Sequence, residues 1–462
     1  MSQLMISVAG IRGIVGDSIR PEEFVRFTLA FAEGCRPRRV VLGGDTRPSR
    51  DMLRHLVFGA LEAAGCEVVD LGIAPTPTIG LMTRLLGAGG GIAITASHNP
   101  EQWNALKFFR ADGTFLNADD NRALMKRFAS AQFALAPVER LGRVQPHPDP
   151  CREHLTRVLK FVDAAKIRRA RMKVAIDCCN GAGARVLPEL LGRLGCDAEV
   201  IFAADGANPS DGSPNRPAPA AAKVFPRVAE PLPEHLGALS KAVKRHGAAV
   251  GFAVDPDADR LALVDEMGRP IGEERTITLA ANHLLERMRS PVVVNLSTTR
   301  AVEDVCAAHG VRCHRTKIGE AHVVGGMRRH RSRLGGEGNG GVILGDVHQG
   351  RDSLGGIAVI LEALARNRCA LSELNARVPD YAIVKDKVPI GRLKVDAIYH
   401  KARREFAEAV RINDEDGLRL DFGVAWLHLR PSGTEPIFRV FAEAPEAGEA
   451  RALVRRVHAM MK

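Results

Sequence analysis

Aromatic side chains are scarce in this chain: they make up 5% of 462 residues, with two Trp and two Tyr. Single strands of nucleic acid are held by basic grooves interleaved with stacking aromatics, and no such stretch occurs here. A net charge of +11 is nevertheless present. Its basic residues are scattered, so an anionic small substrate accounts for the surplus without any nucleic-acid partner. Long apolar runs are missing too. None approaches the roughly 18 residues a membrane-crossing helix needs, and the opening MSQLMISVAGIRG has no basic region followed by an apolar stretch. A cytoplasmic protein with no membrane partner is the expectation. The nine cysteines, Cys178 and Cys179 among them, form no CxxC pair. Their odd number argues against a disulfide framework, and their spacing against a thiolate metal site. No segment is low in complexity.

What is present is an ordinary globular composition, 45% apolar and 26% charged, over a length that suggests about three domains. Three stretches share one plan, starting at Val40, Val174 and Val292: a buried strand, a polar loop, a helix, a Gly and a second apolar run. In the first, Leu53, Val57, Leu61 and Ala64 share a helical face and Gly65 supplies a stop. Strand, helix, strand at this length reads as a parallel crossover. Repetition at intervals above one hundred residues predicts three similar α/β domains rather than a solenoid. The last ninety or so residues differ: LRLDF, AWLHL and IFRVFAEA alternate like strands and EARALVRRVHAMMK closes as a helix, predicting a smaller α+β domain. The boundaries are placed at 1–149, 150–266, 267–368 and 369–462. The proline-rich stretch 208–233 reads as a surface insertion.

Four loops carry residues suited to chemistry. TASHNP, 95–100, follows an apolar strand, where ligands of such sheets gather. Its Ser97 is a possible nucleophile, although no GxSxG frame surrounds it and a hydrogen-bonded turn is an equal reading. DPDADR, 255–260, spaces three aspartates at alternate positions, where a hard divalent cation would offset their repulsion. A calcium loop competes because Glu266 falls at the twelfth position, but the sixth is Arg260 rather than Gly and strand-like runs flank it, which favours Mg²⁺. RPSGTEP, 430–436, combines a guanidinium, two hydroxyls and a Gly, a set suited to phosphate. In GGEGNGG, 335–341, Glu337 and Asn339 could read sugar hydroxyls, or the glycines could merely permit a crowded turn.

Phosphoryl transfer to a serine makes sense of all four loops together. Their set and order, with GIRG at 10–13, GGDTR at 43–47, Asn104, Lys107 and TKIG at 316–319, resemble the α-D-phosphohexomutase superfamily over nearly the whole chain. The resemblance implies three mixed-sheet α/β domains plus the α+β domain, in a heart-shaped enzyme with a central cleft. It implies Ser97 as the phosphoserine, with Asp255, Asp257, Asp259 and the serine oxygen binding Mg²⁺, and Arg12, His98, Lys107 and Arg260 around the reacting group. It implies sugar and phosphate contacts from Thr316, Gly319, Glu337, Asn339, Arg351, Arg430, Ser432, Gly433, Thr434 and Arg439. The reaction implied moves a hexose phosphate between its 6 and 1 positions through a 1,6-bisphosphate, in a monomer or homodimer.

Two departures stand out. Ala105 follows Asn104 where many relatives have Gly, and the histidine of the usual sugar loop is missing from 337–341. His348 could return an imidazole to the site, although a surface position is the commoner fate. GEGNGG followed by HQGRD is similar to the archaeal-type phosphoglucosamine mutase and phosphomannomutase branch, implying glucosamine 6-phosphate first and mannose or glucose phosphates as alternatives. A metal-dependent phosphomonoesterase and a nucleic-acid-binding protein are the rivals from other classes.

Overall fold

The computed structural model describes residues 4–8, 10–203, 224–391, 394–432 and 437–461. Each of the three repeats forms the expected parallel crossover. Strands Arg39–Gly44 and Glu67–Ile73, Lys173–Asp177 and Asp197–Ile201, and Val292–Asn295 and Cys313–Thr316 pair in parallel. Helices Arg50–Ala63, Leu187–Arg193 and Ala301–Ala308 make the crossings. Leu53, Val57, Leu61 and Ala64 are all buried, and Gly65 takes the left-handed conformation at φ +71° that ends the helix.

Each α/β sheet adds one antiparallel hairpin: Gly90–Ile94 with Trp103–Arg110, Val250–Val254 with Leu261–Asp265, and Leu334–Glu337 with Gly341–Leu344. The sheets are therefore mixed, with seven, four and four strands. The turns of these hairpins are TASHNP, DPDADR and the GNG of the glycine-rich loop. The C-terminal sheet has five strands, all antiparallel, and its hairpin Trp426–Pro431 with Ile437–Ala444 is joined by the fourth loop. The strands Ala382–Pro389 and Arg411–Asn413 and the helix Val395–Glu405 complete this domain beyond the predicted elements.

In the first unit successive residues Val40, Val41 and Leu42 point to opposite faces, and all are buried, because helices cover both sides of the sheet. The second and third units share one continuous core rather than two. The reason is the helix Ser353–Asn367, whose residues 353–365 are buried all round, so that it packs against both units at once. All nine cysteines are free thiols.

Candidate active site

The four hairpin turns converge on one cleft of about 910 Å³, near the upper end of the roughly 300–1,000 Å³ usual for small-molecule sites. Ser97 sits 3% exposed at its floor, with φ +52°, a conformation costly for a residue with a Cβ. Neighbouring groups hold it there. Its N–H donates to Thr95 Oγ1 at 2.9 Å, and Thr95 Oγ1 donates to Asp45 Oδ2 at 2.6 Å. The buried Arg47 pairs with Asp45 at 3.0 Å and donates to the carbonyls of Ser97, Asn99, Pro100 and Trp103. Asp45 and Arg47, the end of the GGDTR motif, thus fix the serine turn from a neighbouring strand. Sequence reasoning noted the motif without this role.

Ser97 Oγ donates to Asp255 Oδ2 at 2.7 Å. The other Asp255 oxygen accepts the N–H groups of Asp259 and Arg260, both at 3.1 Å, which curls the aspartate turn on itself. Burial and the neighbouring Asp257 and Asp259 push the Asp255 carboxyl well above the usual range. Asp257 goes the other way: burial opposes ionisation, but Lys107 Nζ at 2.6 Å and the Thr76 hydroxyl at 2.6 Å hold its carboxyl down. Asp259 Oδ2 meets Arg351 Nη2 at 2.6 Å.

One oxygen from each aspartate can be chosen so that all three lie within 4.8 Å of one another. Among the described residues, Asp257 Oδ1 and Asp259 Oδ1 accept no hydrogen bond although buried. Three hard oxygen donors, two of them with unused acceptor capacity, fit a small divalent cation.

Around the serine stand Arg12, His98, Lys107 and Arg260, which all line the cleft. Arg12 Nη1 donates to Asn99 Oδ1, and burial with the nearby Arg47 lowers its guanidinium to about 10. His98 Nδ1 is 3.5 Å from Ser97 Oγ, and burial together with Arg260, Arg12, Lys107 and Arg351 pushes the imidazole well down, so it is neutral at pH 7. Arg260 Nη1 binds Glu230 Oε1 at 2.6 Å.

That glutamate corrects the reading of 208–233 as a surface insertion. Its described part, from Val224, is anchored by buried Val224, Phe225 and Ala229 and carries Glu230 and Leu232 into the cleft wall. The apolar pair at 224 and 225, inside a proline-rich stretch, was the overlooked signal.

In the glycine-rich turn, Glu337 Oε1 accepts from Asn295 Nδ2 at 2.7 Å and from Gly319 N at 3.1 Å. Its other oxygen binds Arg351 at 3.0 Å. Arg351 therefore spans Asp259, Glu320 and Glu337, joining the aspartate turn to the glycine-rich turn. Asn339 is half-buried on the cleft wall. Thr316 does not line the cleft; its hydroxyl donates to the carbonyl of Lys317 at 3.1 Å. His348 is neither on the surface nor in the cleft. It is 3% exposed and packed on Gly80 and Gly350, where a Cβ on either glycine would come within 2.9 Å of its ring nitrogen. Burial, reinforced by His154, lowers it to about 3.

Across the cleft, Arg430 lies opposite Arg439 and Arg439 opposite Lys387 on three neighbouring strands, so the three cations form one row on one face. All three line the cleft, as does Ser432. Lys387 is a member sequence reasoning missed. Asp416 accepts from Arg430 at 3.3 Å and from the Ile318 N–H of the third unit at 2.7 Å, linking the row to the TKIG segment. Gly433 and Thr434 lie outside the described residues.

The chain matches four consecutive domain families, described as phosphoglucomutase/phosphomannomutase alpha/beta/alpha domains I, II and III and the C-terminal domain, over residues 4–135, 152–268, 273–381 and 373–460. It is 34% identical to a phosphoglucomutase/phosphomannomutase of Thermococcus kodakarensis, covering 96% of this chain and 95% of that protein. It is 33% identical to a Methanopyrus kandleri protein named as a phosphoglucosamine mutase, over 96% of this chain and 95% of the relative. A solved family member from Burkholderia thailandensis superposes with a TM-score of 0.81 at 24% identity, covering 99% of this chain and 97% of its own. The N-acetylphosphoglucosamine mutase of Aspergillus fumigatus, solved with GlcNAc-6P and magnesium, shares the fold at TM-score 0.56 and 18% identity, covering 92% of this chain and 83% of its own.

Proposed function

The chain belongs to the phosphoglucomutase/phosphomannomutase family and is a hexose-phosphate mutase, and from that premise we propose that Ser97, phosphorylated, exchanges its phosphoryl group with the free hydroxyl of a hexose monophosphate. The observation that carries this reading is Ser97 Oγ at 2.7 Å from Asp255, at the floor of a cleft whose opposite wall is the row Lys387, Arg439, Arg430. A sugar held by one phosphate on the row has its free hydroxyl directed toward the serine.

In the transfer, the P–Oγ bond breaks as a bond from phosphorus to the sugar oxygen forms. The sugar hydroxyl loses a proton and Ser97 Oγ gains one. His98, neutral and 3.5 Å from Oγ, is placed to hold that proton, and Arg12, Lys107 and Arg260 oppose the phosphoryl charge. Mg²⁺ held by Asp255, Asp257, Asp259 and the Ser97 oxygen would supply charge neutralisation at the phosphoryl group. The resulting 1,6-bisphosphate turns over in the cleft and returns its other phosphate to Ser97, so the phosphate changes position and not number.

For the sugar, Glu337 and Asn339 present acceptors and one donor to the ring, and an amino group at the ring would satisfy a carboxylate that a wrong epimer leaves unpaired. Relatives named as phosphoglucosamine mutases support glucosamine 6-phosphate as the preferred substrate. The experiment is side-by-side kinetics on glucosamine, mannose and glucose 6-phosphates with a trace of the matching bisphosphate. Highest kcat/KM for the glucosamine ester is expected. A clear preference for mannose or glucose would overturn the sugar assignment, and release of inorganic phosphate without isomer would overturn the mutase mechanism.

A further inference from the structure

Gly338 lies between the two residues assigned to the sugar, and it is gripped from three sides. Its N–H donates to Thr298 Oγ1 at 3.0 Å. Its Cα rests so close to the Glu274 carboxylate that a Cβ would stand 2.0 Å from Oε2. Its carbonyl accepts from Lys385 Nζ at 3.0 Å. The first two grips come from the third unit, but Lys385 comes from the strand Ala382–Pro389 of the C-terminal sheet. Two residues further along that strand is Lys387, in the row that faces the phosphate. The ammonium of Lys385 is itself fixed, 2.7 Å from Glu273 and 2.8 Å from Glu274.

A peptide flanking a glycine swivels easily, because no Cβ limits its dihedrals. Holding Gly338 at both N–H and C=O fixes the relative direction of the Glu337 and Asn339 side chains, and only the carbonyl grip depends on the C-terminal domain. We propose that Lys385 is a positioning residue for sugar selection: it sets the Gly338 carbonyl, and through it ties the placement of the phosphate-binding sheet to the discrimination made by Glu337 and Asn339. This rests on the reading of 337–339 as the sugar-recognising turn.

Removal of the ammonium does not strand a buried charge. Burial already raises Glu274 to about 7, against the opposing pull of Lys385, so its carboxyl protonates once the lysine is gone. Lys385→Met is therefore expected to fold.

The test compares wild type, Lys385→Met and Lys385→Arg on glucosamine and mannose 6-phosphates, with inorganic phosphate as a competitive probe of the basic row. In Lys385→Met the ratio of kcat/KM between the two sugars should shrink about tenfold. The inhibition constant for phosphate should stay within roughly twofold, because the row itself is intact. Lys385→Arg keeps the charge and a donor and should restore part of the ratio. A purely structural role would change stability or all substrates alike, so an unchanged ratio in Lys385→Met overturns the proposal. If Lys385→Met does not fold, the ratio in Lys385→Arg decides: a value equal to wild type overturns it, a reduced one supports it. Failure of the underlying reading looks different, since Glu337→Gln would then leave the sugar ratio where it was.

Discussion

At the serine end of the cleft, Asp255, Asp257 and Asp259 are at most 1% exposed, and Lys107 and Arg351 meet them at 2.6 Å. At the phosphate end, Lys387, Arg439 and Arg430 stand side by side on three strands and keep contact with water. Buried ions are expensive, and removing one partner is worse than removing the pair. The serine end accepts that expense because charge must be in place before the phosphoryl group moves, with no rearrangement at the moment of transfer. The phosphate end has another task. It must bind one phosphate, let go, and bind the other, and solvated cations with modest pair energies suit a grip that is repeatedly released. Catalysis is concentrated where burial is complete, and binding where it is not.

Substitutions at the two ends should therefore fail in different ways. Ser97→Ala should have the largest effect: turnover should fall to background with an unchanged fold by circular dichroism, and peptide mass spectrometry of the active wild type should find phosphate on Ser97. An active enzyme phosphorylated solely elsewhere would break the assignment of the chemical end. Asp257→Asn should come next, slowing kcat by roughly a hundredfold or more and raising the Mg²⁺ concentration needed for half-maximal rate. Full activity in chelator would remove the metal from the account.

Arg430→Ala should be milder, raising KM about tenfold while kcat stays within roughly threefold, since it removes a contact common to ground and transition states. Added salt should raise KM in the same sense, because the row is accessible to ions. A collapse of kcat with unchanged KM would erase the contrast between the ends.

The smallest effect concerns Glu274, between the two ends. Burial raises its carboxyl from 4.5 to about 7, so the folded state prefers the neutral form. Its stabilising contribution is complete below the unfolded value and is lost as pH rises through about 7. Denaturant midpoints should therefore decline between about pH 5 and pH 8 more steeply in wild type than in Glu274→Gln. Equal slopes would show that this carboxyl titrates normally.

The turns were legible because each packs its chemistry into a few adjacent residues: three aspartates within 255–259, or Arg430, Ser432 and Thr434 within five positions. The crossovers were legible from strand and helix periods, as at Leu53, Val57 and Leu61. What escaped was held by pairing across the chain. Lys385 reaches Glu273 over 112 positions and Gly338 over 47, and Arg47 supports Ser97 over 50. No period or local pattern reports such contacts. His348 escaped for the same reason, since its place depends on Gly80 of another unit leaving room for the ring. The shared core of the second and third units had a visible sign, the apolar stretch of SLGGIAVILEALARN, which is too uniform for a surface helix.

Every reactive turn described here joins two strands already locked in antiparallel register. Strands fixed in that way hold the ends of a turn whatever sequence fills it, and tolerance to change concentrates at such tips. The enzyme's inventory is thus carried on four exchangeable cartridges, and a turn of equal length can be replaced without redesigning the sheet beneath. Altered sugar choice is reached by rewriting 338–340 alone, while the phosphoryl chemistry at the other turns stays as it was.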